Sequence, residues 1–111
     1  MPTTTRQRDN VTVVDAPATL DFNASKDFAA VTDNEFVNGA TKFIINLAST
    51  QLIDSSGVGS MVKLYKNVRS CRGNLVLVGV HGQVKAILRL LRMDRTFTYY
   101  DSEDAAVAAL S

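Results

Sequence analysis

The sequence predicts an α/β fold, a single domain with a mixed, mostly parallel sheet of four to five strands and about four helices. Two continuous apolar runs, Lys42-Phe43-Ile44-Ile45-Asn46-Leu47 and Asn74-Leu75-Val76-Leu77-Val78-Gly79-Val80, have the length and composition of strands covered on both faces. After each of them the apolar spacing changes to the helical period. Val58, Met61, Val62, Tyr65, Val68 and Cys71 fall on one stripe, and Val84, Ile87, Leu88 and Leu91 on another. Strand and helix therefore alternate, the order that yields parallel strands joined by right-handed crossovers.

The chain opens with a polar segment over residues 1–8, read as an edge strand. The turn-forming pair Asp9-Asn10 comes next, then the strand-forming Val11-Thr12-Val13-Val14. Pro17 cannot donate to a ladder, which ends that strand. From Leu20-Asp21 to Gly39 the spacing of Phe22, Phe28, Ala29, Phe36 and Val37, with either Val31 or Thr32, predicts a helix packed by aromatics; Ser25 is its expected cap and Gly39 its stop. After the central strand, Ile53-Asp54-Ser55-Ser56-Gly57-Val58-Gly59 reads as a loop feeding a second helix that runs to about Arg72 and closes at Gly73. A third helix carries Lys85, Arg89 and Arg92 opposite its apolar stripe. Phe97-Thr98-Tyr99-Tyr100 reads as a short strand, and Ser102-Glu103-Asp104-Ala105 opens a last helix with a serine cap and two acids in the first turn.

Length and composition narrow the function classes. A chain of 111 residues, 46% of them hydrophobic, makes one compact core and is too short for two ordinary domains. The single Cys71 cannot form an internal disulfide and reads as a small core residue in a reducing compartment. No apolar run has the length to span a bilayer, and the N-terminus lacks the apolar region of a signal peptide, so the expected location is the cytoplasm. One histidine, His81, and one cysteine supply no zinc-site spacing; neither metal nor cofactor is expected.

The serine loop carries the chemistry. The first N–H groups of a helix lack internal partners and sit at the positive end of its dipole, so a hydroxyl or phosphate there meets waiting donors. Ser55 and Ser56 are also good N-cap types, and the plainest account of either is a cap. Gly57 and Gly59 each cost the helix about 1 kcal/mol relative to alanine and offer in return a bare backbone for close approach. From Ser55 to Met93 there is no Asp or Glu, while Lys63, Lys66, Arg69, Arg72, Lys85, Arg89 and Arg92 are all positive. Either these are solvated helix surface, or the two helices form a basic face that steers an acidic partner. Nucleic acid is a poorer match, because no aromatic pattern interleaves the charges. A serine hydrolase is poorer still: the loop lacks the Gly-x-Ser-x-Gly elbow, and His81 is the only histidine available as a base.

The chain resembles a STAS domain, the family that includes sulfate-transporter C-terminal domains and bacterial anti-sigma factor antagonists. The resemblance rests on Leu20-Asp21, on Phe43 to Leu47 with Ile53 to Gly59, on Leu88 to Phe97 with Leu91, Met93-Asp94 and Phe97, and on the closing Ser102 to Ala106. It implies a partner-switching regulator of transcription in a stress response. The serine directly after the aspartate, Ser55, is phosphorylated by a serine kinase that is itself the anti-sigma factor; the unmodified form binds that kinase, the phosphorylated form does not, and a PP2C-type phosphatase resets it. Together with the basic face, the resemblance makes Asp21, Asp54, Ser55, Ser56, Gly57, Val58, Lys63 and Arg89 the expected partner-binding residues. No catalytic residue, nucleic-acid contact or membrane contact is expected. The family commonly has a glycine two places before Leu20-Asp21, where this chain has Ala18 beside Pro17. The alternative it implies is an adaptor subunit of a stressosome-like complex or of a phospholipid ABC transporter.

Overall fold

The computed structural model describes residues 2–111. Its elements run β1 (Thr4–Arg8), β2 (Val11–Asp15), β3 (Thr19–Leu20), α1 (Phe22–Val37), β4 (Lys42–Asn46), β5 (Leu52–Ile53), α2 (Ser55–Ser70), β6 (Asn74–Val78), α3 (Gly82–Leu90), β7 (Thr98–Tyr100) and α4 (Glu103–Leu110). The β1–β2 hairpin is antiparallel and turns through Asp9 at φ 56°, a left-handed conformation that aspartate tolerates better than most side chains. The remaining pairings, β2–β4, β4–β6 and β6–β7, are parallel, giving the five-stranded order β1-β2-β4-β6-β7. β3 and β5 form a separate two-stranded parallel pair.

The apolar runs fill both sides of this sheet because successive side chains of a strand point to opposite faces. Phe43, Ile45, Leu75 and Leu77 face a layer made by α1, α2 and α3, with Phe28, Met61, Leu64 and Leu88 fully or almost fully buried against them. Ile44, Val76 and Val78 face the other way, with Val11 and Val13, and are covered by α4 through Ala106, Val107 and Leu110. Burying each of these large side chains contributes about 2 kcal/mol. Among the described residues no helix is long and apolar enough to cross a membrane.

Several local expectations are corrected. The cap of α1 is Asp21, whose side chain accepts from the Ala24 N–H; Ser25 lies inside the helix, buried, its hydroxyl donating to the Phe22 carbonyl. The aromatic packing of α1 is narrower than its spacing suggests: Phe28 is buried, but Phe22 and Val37, at the two ends, are exposed. Thr32 rather than Val31 is buried, because its hydroxyl is satisfied by the Phe28 carbonyl. In α2 the buried face includes Leu64, off the expected stripe, since the helix packs on α1 as well as on the sheet. Cys71 is exposed, not core. α2 ends at Ser70, and Arg72 takes a left-handed φ of 60° so that the Gly73 N–H reaches back to the Val68 carbonyl. Leu91 likewise lies beyond the end of α3 and is partly exposed.

Candidate functional site

Two short units of the same design stand side by side. β3 and β5 pair with Thr19 opposite Leu52 and Leu20 opposite Ile53, and each strand runs into an aspartate that caps a helix. Asp21 Oδ1 accepts from the Ala24 N–H at 3.0 Å; Asp54 Oδ1 accepts from the Gly57 N–H at 3.0 Å. The second oxygen of Asp54, Oδ2, accepts from the Phe22 N–H at 3.0 Å. One carboxylate therefore binds the N-termini of both α1 and α2 and sets its charge against two positive helix ends. A serine hydroxyl presents one oxygen where the carboxylate presents two, one for each helix.

With Asp54 as the cap, Ser55 and Ser56 become the first two residues of α2 rather than caps. Ser55 is exposed, and among the described residues its hydroxyl has no hydrogen-bond partner. Ser56 is half-buried and its carbonyl accepts from Ser60 Oγ at 3.2 Å. Gly57 and Val58 are buried, so neither offers side-chain surface to a partner. A Cβ on Gly57 would land on the Leu20 carbonyl oxygen and lie 2.8 Å from Ile53 Cγ1. Its bare backbone serves the approach of α2 to β3, not the approach of another molecule. Gly59 is the glycine left open, with nothing within 4 Å of the corresponding position.

The strand beneath the serine is held from α3. Gln83 Oε1 accepts from the Ile53 N–H at 2.9 Å and Nε2 donates to the Ile53 carbonyl at 3.0 Å, as a neighbouring strand would. The Ala18 carbonyl accepts from the N–H groups of Gln51 and Leu52, so the loop that carries alanine in place of the family glycine still closes on β5. His81 Nε2 lies 3.0 Å from the Ala48 carbonyl, and among the described residues no hydrogen bond joins it to Ser55.

Two residues were missed in the sequence. Phe22, whose N–H binds Asp54, is 59% exposed, and Leu52, two residues ahead of Asp54, is 53% exposed. Lys26 Nζ lies 4.6 Å from the centre of the Phe22 ring. Exposed apolar side chains beside an exposed serine are the material of a docking surface. Phe22 follows the capping Asp21 directly, a first-turn position that this helix turns to solvent.

The seven cations expected from the sequence lie on the surface. Lys63, Lys66, Arg69, Arg72, Lys85, Arg89 and Arg92 are all exposed, and none takes part in the ion pairs of the described residues. Those pairs gather elsewhere, at the start of α4. Arg6 binds Asp15 and Glu103 at 2.7 and 2.6 Å, and Arg8 binds Glu103 and Asp104 at 2.7 and 2.8 Å. The Arg6 guanidinium, with help from Arg8 and Asn46, holds the Glu103 carboxyl down at about 2. Residues as far apart as Arg6 and Glu103 give no sign in the sequence that they meet.

This fold has known counterparts. The family model described as STAS domain matches residues 3–106, and the chain belongs to the STAS domain family. A relative from Thermotoga neapolitana, named as a candidate anti-sigma factor antagonist homologue, is 32% identical over 75 residues, which span 67% of this chain and 66% of that protein. The crystal structure of a candidate anti-sigma factor antagonist from Thermotoga maritima superposes with a TM-score of 0.89 at 26% identity, covering 97% of this chain and 93% of that one. SpoIIAA, a Bacillus cell-fate determinant whose structure was solved in its phosphorylated form, superposes with a TM-score of 0.78 over 98% of this chain and 99% of that one; at 18% identity the likeness is one of fold.

Proposed function

We propose that this chain, acting as a single STAS domain in the cytoplasm, is an anti-sigma factor antagonist whose binding to an anti-sigma factor kinase is switched off by phosphorylation of Ser55. The observation that carries the reading is the exposed, unbonded Ser55 hydroxyl at the first position of α2, next to a carboxylate that already fastens two helices together. A phosphate there adds about −1.5 to −2 charges at the favourable end of a helix dipole, so the domain that carries it tolerates it. The same charge in a partner interface meets desolvation cost, and with Asp54 next door it adds to the repulsion from any acidic surface of the partner. Phe22 and Leu52 supply the apolar contacts that such a charge disrupts, Ser56 lies beside them, and Lys63 and Arg89 belong to the basic surface that draws in an acidic partner. Gly57 and Val58 act by shaping the loop from within. A PP2C-type phosphatase returns the domain to its binding form. The names of the Thermotoga relatives and the phosphorylated SpoIIAA structure support this reading.

Incubation with a candidate anti-sigma factor serine kinase and ATP, read by intact mass, tests it. The chain should gain one phosphate, Ser55→Ala should gain none, and Ser56→Ala should behave as the parent. Phosphate on Ser56 would move the switch to the wrong residue, and a phosphorylated chain that still binds the kinase would remove it.

A further inference from the structure

At the carboxyl ends of β6 and β7, away from the serine, a cleft of about 370 Å³ opens between α3 and the β7 strand. This lies within the range of about 300–1,000 Å³ usual for small-molecule sites. One wall carries Lys85 and Arg89, four residues apart on α3 and so on the same side of it. Asp94 and Asp101 also line the cleft, with Tyr99, whose side chain packs on the α1–α3 side of the sheet, while the ring of Tyr100 turns to the α4 side. All four charged side chains are exposed, and among the described residues none makes an ion pair or a side-chain hydrogen bond, with one another or with anything else. At the other edge of the sheet every such opportunity is taken: Arg6, Arg8, Asp15, Glu103 and Asp104 are all tied together. The cleft thus holds both signs of charge, and they do not close on each other.

We propose that the α3–β7 cleft binds a small zwitterion, with its anionic group on Lys85 and Arg89 and its ammonium group toward Asp94 and Asp101 beside the Tyr99 ring. Guanidinium and ammonium side by side suit a carboxylate or a phosphate monoester. Carboxylates backed by aromatic rings suit an amine, which gains from both. Burial, and with it the nearby Asp94 charge, raises the Tyr99 hydroxyl to about 12, and that hydroxyl is already spent on the Met93 carbonyl at 2.8 Å, leaving the ring as the contact. A ligand with one charge alone would satisfy one pair of residues and strand the other.

The test titrates the isotope-labelled full chain with a panel of L-amino acids, 4-aminobutyrate and phosphoethanolamine, with acetate and methylamine as half-ligands, and tracks backbone amide shifts. At least one zwitterion should saturate, with shifts centred on Gly79, Lys85, Arg89, Tyr99 and Asp101, at an affinity tenfold or more above either half-ligand. A carboxylate ligand and phosphoethanolamine separate the two anion types. Arg89→Gln and Asp101→Asn should each weaken binding about tenfold while the thermal midpoint stays at the parent value, since both side chains are exposed. Failure of the whole panel to saturate overturns the proposal, as does equal binding of acetate or methylamine, or binding that survives both substitutions. Ser55→Ala should bind the zwitterion as the parent does, which keeps this result separate from the fate of the phosphorylation reading.

Discussion

The two strand–aspartate–helix units, Leu20-Asp21 leading into α1 and Ile53-Asp54 leading into α2, share one local design and differ in the bonds of the aspartate and in the residues after it. Asp21 serves its own helix; Asp54 serves its own helix and its neighbour's. After Asp21 comes Phe22, a large apolar residue; after Asp54 come two serines and a buried glycine. The difference teaches that structural work and display are divided between adjacent residues. Asp54 and Gly57 fix the junction so firmly that Ser55 is released from capping and left on the surface.

Gly57 is where that division breaks with the largest effect. Gly57→Ala drives a methyl group into the Leu20 carbonyl and should cost about 3 kcal/mol in chemical denaturation. Gly59→Ala, two residues on and open to solvent, should instead gain about 1 kcal/mol; if the two behave alike, the close approach of α2 to β3 is wrong. The aspartates come next. Asp54→Ala should cost about 2 kcal/mol, losing a cap and a second bond to α1, and Asp21→Ala about 1 kcal/mol, losing a cap alone. Equal losses would reduce the Asp54 bridge to an ordinary cap. The smallest effect lies outside both units. Glu103 is held near 2 in the fold against an ordinary 4.5, so its contribution is whole above about pH 4.5 and is lost as the pH falls toward 2. Glu103→Gln should cost about 0.5 kcal/mol at neutral pH and flatten the acid limb of a stability-against-pH curve.

Much of this architecture was legible in the sequence. Phe43-Ile44-Ile45 and Leu75-Val76-Leu77-Val78 are short unbroken apolar runs, as strands buried on both faces require, and the stripe from Val58 to Val68 recurs at the helical period. β3 and β5 were not legible, because two residues are too few to show a period. The caps were misread for a chemical reason: serine and aspartate both qualify at an N-cap, and only the approach of Phe22 to Asp54 decides for the carboxylate. Cys71 fits the helical stripe in number but lies past the last turn of α2, where the period no longer governs. Exposed Phe22 and Leu52 look like core in any hydrophobicity count; their exposure depends on what the fold leaves uncovered.

The side-chain amide of Gln83 doubles as a missing strand edge, grasping both polar groups of Ile53. Helix α3 cannot swing away from β5 without releasing both grips at once. The helix that bears Lys85 and Arg89 is thus also the anchor of the short strand that delivers Asp54 and Ser55 to their places.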